Sequence, residues 1–317
     1  MNMLRNILFF VLCFAIGAGG VLLVRHFKNS LPPPPPVVTR VGTPPTLRGF
    51  ELPAAAPDAV SGLPALNATA VALEYGDGSH LASAAKAAHE AHLQVLLVPA
   101  AADTGPAFFP RDPYPKPLPE VAAEAQAAGV DILCISWLKE DPDETWWREQ
   151  IAAVRKAFAG KLILATNSDT APAVGLWDAV DYLGITGPVE LPRRLPGADP
   201  TYTIRDARVL WAAKLDEWES LGARNARPVI LLNMQLPLDA GATLPAAGAP
   251  APAPPPGLRD TFYEALLLET KGRQSTEGLF IRWEKEDGIR AILPRITALW
   301  SPQSANPAPP PGSPPGP

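Results

Sequence analysis

Eight apolar segments alternate with helical ones across the chain, and that alternation predicts a (β/α)8 barrel, an architecture of typically about 250 residues. The apolar segments lack strict in/out alternation, which suits parallel strands covered on both faces. The first strand-to-turn segment, "FELPAAAPD", carries no glycine-rich turn. That disfavours the runner-up, a doubly wound open sheet.

The elements follow in order. "LRGFEL" (47–52) reads as strand one, and "ATAVALEY" (68–75), bounded by Asn67 and Gly76, as strand two. "SHLASAAKAAHEAH" (79–92) is alanine-rich and helical, and "QVLLVPA" (94–100) is strand three. "LPEVAAEAQAAG" (118–129) opens with proline in its first turn and closes on a capping glycine. "DILCISW" (131–137) is strand four. "ETWWREQIAAVRKAFAG" (144–160) puts Trp147, Ile151, Val154 and Phe158 on one helical face. "KLILATN" (161–167) is strand five; "GLWDAV" gives one short helical turn; "DYLGITG" (181–187) is strand six. "YTIRDARVLWAAKLDEWESLG" (202–222) is a long helix with Ile204, Leu210 and Leu215 as buried candidates. "RPVILLNMQ" (227–235) is strand seven and "RDTFYEALLLETKG" (259–272) its helix. "GLFIRWE" (278–284) is strand eight, and "IRAILPRITALW" (289–300) is a helix that Pro294 is expected to break.

Around the barrel (47–300) lie segments of another kind. "ILFFVLCFAIGAGGVLLV" (7–24) has no charge and is nearly long enough to cross a hydrocarbon core. "RHFK" follows it, where a cleaved signal peptide would need small residues. Residues 1–30 are therefore expected to be an uncleaved single-pass anchor in the inner (cytoplasmic) membrane, with the large domain periplasmic or otherwise extracytoplasmic. Basic residues flank both ends (Arg5 against Arg25 and Lys28), so charge alone does not orient it. The linker 31–46 contains five consecutive prolines, which favour a stiff polyproline II rod. A proline-rich insertion (240–257) and tail (301–317) share that composition. They read as spacers or as arms that engage protein partners. The formal charge of −5 provides no basic face for nucleic acid. Cys13 and Cys134 fall in the anchor and in strand four, so no disulfide framework is expected.

In such barrels, functional groups sit on the C-terminal ends of the strands. Those ends carry Glu51; Glu74, Asp77 and His80; Asp103; Lys139, Glu140 and Asp141; Asn167 and Asp169; Glu190; Asn233 and Gln235; and Arg282, Trp283 and Glu284. His80, His89 and His92 are not at ligand spacing on one face, so neither a metal nor another cofactor is expected. No G-x-S-x-G elbow or Walker loop occurs.

The helix-to-strand stretch W-R-x-x-I-x-x-V-R-x-x-F-x-G-K-L, starting at Trp147, is followed by W-D-x-V-D-Y-L-G-I, starting at Trp177. Together with "AAHEAHLQVLLVPA" and "GVDILCISW", these resemble the middle of the family 113 glycoside hydrolases, the β-mannanase-like barrels. "RPVILLNMQ" and "EGLFIRWE" match more loosely, and the resemblance spans residues 47–300. It implies a retaining mechanism, with a glutamate acid/base ending strand four and a glutamate nucleophile ending strand seven. One carboxyl must protonate the leaving oxygen while the other attacks from the opposite side. Here the two motifs read "SWLK" and "LNMQ", which puts Leu138 and Asn233 at those positions. Neither side chain ionises.

Two functions follow. The first is a non-catalytic barrel, a structural, assembly or carbohydrate-binding subunit beside a membrane complex, with Trp137, Leu138 and Met234 filling the cleft. The second is an active glycosidase using displaced acids, Glu140 with Glu284 or Glu74, at separations of about 5–5.5 Å for retention or 6.5–9.5 Å for inversion. Trp137, Asn167, Asp169, Asn233, Gln235 and Trp283 are the ligand-contact candidates. For Trp283 ordinary packing is the stronger reading. For Asn167 and Asp169 loop formation competes, because such residues bond their own backbone.

Overall fold

In the computed structural model, residues 43–52, 60–100, 114–138, 143–187, 203–234, 257–283 and 288–301 are described. Eight parallel strands close into a barrel in sequence order. They are β1 (Leu47–Leu52), β2 (Ala70–Tyr75), β3 (Gln94–Pro99), β4 (Ile132–Leu138), β5 (Lys161–Thr166), β6 (Tyr182–Thr186), β7 (Val229–Met234) and β8 (Thr276–Arg282). Helices α1 (Leu81–Glu90), α2 (Leu118–Ala128), α3 (Glu144–Ala157), α4 (Ile204–Asn225), α5 (Leu258–Thr270) and α6 (Gly288–Trp300) pack outside. Short 3-10 turns stand after β1 and β5 among the described residues. The anchor 7–24 lies outside the described residues, as do nearly all of the proline-rich linker, insertion and tail. Within the described residues no helix is long and apolar enough to cross a membrane.

The buried apolar residues form two separate layers. Among the described residues the lumen is filled by strand residues, including Leu47, Leu96, Val98, Ile163, Ile230, Leu232 and Phe280. The second layer lies between strands and helices and holds the tryptophans Trp147, Trp177, Trp211, Trp218 and Trp300. Strands buried on both faces account for the nearly continuous apolar runs in the sequence.

Helix ends follow local chemistry. Gly129 closes α2 at φ 79°, where a side chain is disfavoured. Thr203 and Asp206 form a reciprocal capping box that starts α4: Thr203 Oγ1 accepts from the Asp206 N–H, and Asp206 accepts from the Thr203 N–H. Thr203→Ala is expected to cost about 1 kcal/mol of stability, read from denaturant melts.

Two sequence expectations need correction. Helix α6 is not broken at Pro294 but runs through it from Gly288 to Trp300. Ile292, Ile296 and Trp300, four residues apart, are buried, so packing along that face offsets the backbone hydrogen bond that proline removes. Ile204 is 38% exposed and is not a core residue. The buried face of α4 is Ala207, Trp211, Leu215, Trp218 and Gly222.

Candidate functional site at the barrel mouth

The C-terminal rim departs from regular pairing at two strands. In β4 the register slips between Cys134 and Ser136. Leu133 and Ile135 belong to the outer layer, but so does Leu138, three positions on rather than two. The extra residue of a bulge explains that change of parity. In β7 the register slips between Leu231 and Met234, and Asn233 sits at φ 49°. Asparagine tolerates this left-handed conformation better than most residues. Met234 is thereby turned into the outer layer, where Tyr263 donates to its carbonyl at 3.2 Å. Leu138 and Met234 therefore do not fill the cleft as expected. Both are spent on packing beneath the helices.

What occupies the rim beside Asn233 is a charged cluster. Barrel closure pairs Glu51 of β1 with Arg282 of β8. Arg282 reaches Glu51 Oε1 at 3.8 Å through Nη1 and Glu74 Oε1 at 3.4 Å through Nη2. The Glu51 side chain is fully buried, at 0% exposure. The Glu51 carbonyl accepts from the Trp283 N–H at 2.9 Å, which holds β8 against β1 beyond the last strand pair. Asn233 is 6% exposed. Neither Glu51 carboxylate oxygen nor Asn233 Oδ1 meets a donor in hydrogen-bonding geometry among the described residues. The Asn233 backbone N–H nevertheless lies near enough to favour the Glu51 anion slightly.

Burial pushes the Glu51 carboxyl up to about 8, and the adjacent Glu74 carboxylate adds to the rise. Arg282 opposes both. Glu51 thus keeps its proton well above the usual carboxylate range, because it is buried and faces a second carboxylate.

The other candidates are placed as follows. Asn167 Oδ1 accepts from the Asp169 N–H at 3.0 Å and the Thr170 N–H at 2.8 Å, a local turn that uses up its acceptor. Asp169 accepts from Ser168 Oγ at 3.3 Å within the same loop. Trp283 packs its ring edge-on to Phe50 at 5.3 Å, against the outer layer. Trp137 pairs with Ala165 in the β4–β5 register. Glu140, Gln235 and Glu284 lie outside the described residues, as do Asp103, Lys139, Asp141 and Glu190.

Beyond β2, Glu74, Asp77, Gly78 and His80 border a shallow depression. Asp77 accepts from the N–H and hydroxyl of Ser79, and these bonds hold its carboxyl below its ordinary value. Tyr75 donates to Glu124 at 2.6 Å, and Lys116 pairs with the same carboxylate at 2.5 Å, which ties this loop to α2. The histidines are not brought together: His89 pairs with Asp131 at 3.0 Å, away from His80. Among the described residues no group of three metal-ligating side chains converges.

Sequence order alone left Glu51 and Arg282 as separate members of a list of strand ends. The usable signal was the fold itself, because a closed eight-stranded barrel must set strand eight beside strand one.

The tryptophan- and arginine-rich stretch from Trp147 to Ile185 serves the scaffold. Arg148 forks onto Asp178 at 3.1 and 3.0 Å. Arg155 meets Asp181 at 2.6 Å, and Asp181 also accepts from the Leu162 N–H at 2.8 Å. Trp177 is buried with its Nε1 donating to the Ala171 carbonyl at 3.3 Å. These contacts fix α3 against the loops flanking β5 and lie outside the charged cluster of the mouth.

The sequence profile of Glycoside Hydrolase Family 113 matches residues 112–290. No curated protein matches the chain. Among solved structures, the GH113 β-mannanase AaManA from Alicyclobacillus acidocaldarius, in complex with ManMIm, superposes with a TM-score of 0.56 at 17% identity. That match covers 82% of this chain and 99% of the mannanase. A GH113 β-1,4-mannanase gives 0.58 at 16% identity, covering 81% and 99%. Cellulose synthase subunit Z from Clostridioides difficile gives 0.52 at 10% identity, covering 81% and 100%. At these identities the likeness concerns the barrel and not its chemistry.

Proposed function

The chain belongs to glycoside hydrolase family 113, and on that premise we propose that it is a non-catalytic member. Its barrel serves as a structural or binding subunit, held at the inner membrane by residues 7–24 with the large domain on the extracytoplasmic side. The proline-rich segments engage partner proteins of a membrane complex, and a polysaccharide chain is the further ligand class the scaffold suggests.

The observation that carries this reading is the state of the β7 rim. An amide, Asn233, stands where the resemblance implies the nucleophile, and it is buried beside Glu51. Glycoside hydrolysis needs two carboxyls spaced by about 5 Å or more across a gap that admits a sugar. Glu51 and Glu74 instead share a single guanidinium and interact side chain to side chain, with Glu51 inaccessible. They leave no room for a pyranose between them. Leu138 sits in the layer under the helices and has no proton to give.

The full chain, purified in mild detergent, is expected to release no product from aryl β-mannosides or manno-oligosaccharides, and to bring partner chains with it. Turnover that disappears in Glu140→Gln would overturn the reading and establish a hydrolase with displaced acids. A monomer without companions would remove the assembly role.

A further inference from the structure

Among the described residues the rim cluster sets two acids beside one base, and the Glu51 side chain is out of reach of water. Four groups face one another across four strand ends: Glu51 on β1, Glu74 on β2, Asn233 on β7 and Arg282 on β8. Three of the four are titratable or charged, two acids and one base. If both acids ionise, two like charges meet where the Glu51 side chain is 0% exposed. A buried unpaired charge is among the most costly features a fold can carry.

The donor count leads to the same place. As an anion, Glu51 offers two acceptor oxygens without a donor in good geometry among the described residues. Arg282 comes no nearer to Glu51 than 3.8 Å, beyond hydrogen-bonding reach. As an acid, Glu51 gains one O–H donor. The Glu74 carboxylate, which meets Glu51 side chain to side chain, can accept it. A single proton on Glu51 therefore removes its buried charge and supplies the missing donor.

We infer that Glu51 and Glu74 hold one proton between them as a latch that ties β1, β2, β7 and β8 at the mouth, and that loss of this proton loosens the rim. The backbone around the latch suits release. Asn233 is held at φ 49° next to a register slip, and the Trp283 N–H hangs on the Glu51 carbonyl at 2.9 Å. With a second anion in the cluster, repulsion acts directly on these two points.

The sign of the pH effect follows from linkage. Below the ordinary carboxylate range Glu51 is protonated folded or unfolded, and contributes no difference. Between about 4.5 and about 8 the folded chain keeps a proton that the unfolded chain has released, so stability falls as pH rises through that window. Above it the contribution is flat.

Isotope-edited infrared spectra of the full chain, with labelled glutamate, test the proton directly. The expected result is a protonated carboxyl band present at neutral pH, lost around pH 8, and absent in Glu51→Gln. Amide exchange at Asn233 and Trp283, corrected for intrinsic pH dependence, is expected to quicken as the band disappears. In Glu51→Gln it should stay slow, because a neutral amide stands in for the acid. Glu74→Gln provides a second arm should the first variant fold poorly. With the neighbouring charge removed, Glu51 should release its proton roughly tenfold more readily, about one pH unit lower. Two fully ionised carboxylates at pH 6, or a band unmoved by Glu74→Gln, would overturn the shared proton. Exchange that ignores the titration would overturn the latch.

Discussion

Arg273→Met is expected to destabilise the fold by roughly 3 kcal/mol, the low end for breaking a buried ion pair by removing one partner, because Asp216 is exposed and Glu219 only partly buried. The Arg273 side chain is 0% exposed. Its Nη1 donates to Asp216 at 2.8 Å and Glu219 at 2.6 Å, and its Nε donates to the Glu269 carbonyl at 2.8 Å. Nη2 reaches the Ala212 carbonyl at 3.3 Å. The planar fork thus joins α4 to the end of α5 through four acceptors at once. Glu219 also accepts from the Ser275 N–H at 3.3 Å, so the network extends to the start of β8. Methionine fills the space but leaves Glu219 partly buried without its cation. Lysine keeps the charge and loses the fork, so Arg273→Lys should fall between the two. For a domain of this size the methionine variant should lower Tm by on the order of 10 °C. Lys86→Met, which breaks an exposed pair with Glu90 at 3.8 Å, should change stability by no more than about 0.5 kcal/mol. Denaturant melts of the three variants decide the matter. An Arg273→Met midpoint close to wild type would show that the network is dispensable.

Gly49→Ala should rank with it, for a steric reason. A Cβ on Gly49 would stand 2.3 Å from the Ala70 carbonyl oxygen, 2.9 Å from its carbon and 3.0 Å from Phe280 Cε1. Two of the three atoms are backbone in the neighbouring strand β2 and cannot swing aside. Gly49 pairs with Ala70 on one side and Phe280 on the other, so relief means parting β1 from β2 or displacing the phenyl ring that fills the lumen. Overpacking of ordinary cores costs about 1–3 kcal/mol, and a backbone collision should reach or exceed the top of that range. Gly257 provides the contrast. It has nothing within 4 Å and a φ of +77°, so Gly257→Ala tests conformational strain without collision. That variant should cost roughly 1 kcal/mol. If thermal melts place both substitutions together, close packing at Gly49 is not what sets its cost.

Both predictions fall on features that strand and helix patterns do not show. Periodicity placed Trp147, Ile151 and Val154 on the buried face of α3, and there they lie, while Phe158, read with them, is buried just past the helix in extended backbone. It misplaced Ile204, the first residue of α4, which has no preceding turn of helix to pack beside. The stretch from Trp147 to Ile185 carries the resemblance to the family, and Arg148, Arg155, Asp178 and Asp181 within it bond the scaffold. A sequence motif that is diagnostic of a fold therefore says little about whether the fold still reacts.

Sequence alone determined the barrel, because eight apolar strands and their helices are written in local hydrogen-bonding preference and side-chain period. The motifs "SWLK" and "LNMQ" that end strands four and seven contain no glutamate, and that too is legible in the sequence. Only the tertiary structure decided which way Leu138 and Met234 face, since a bulge of one residue reverses every side chain after it. Only closure of the sheet brought Glu51 and Glu74 to Arg282, from opposite ends of the barrel sequence. The energy that holds them there is set by burial and by a neighbour's charge, and both exist only once the strands have met.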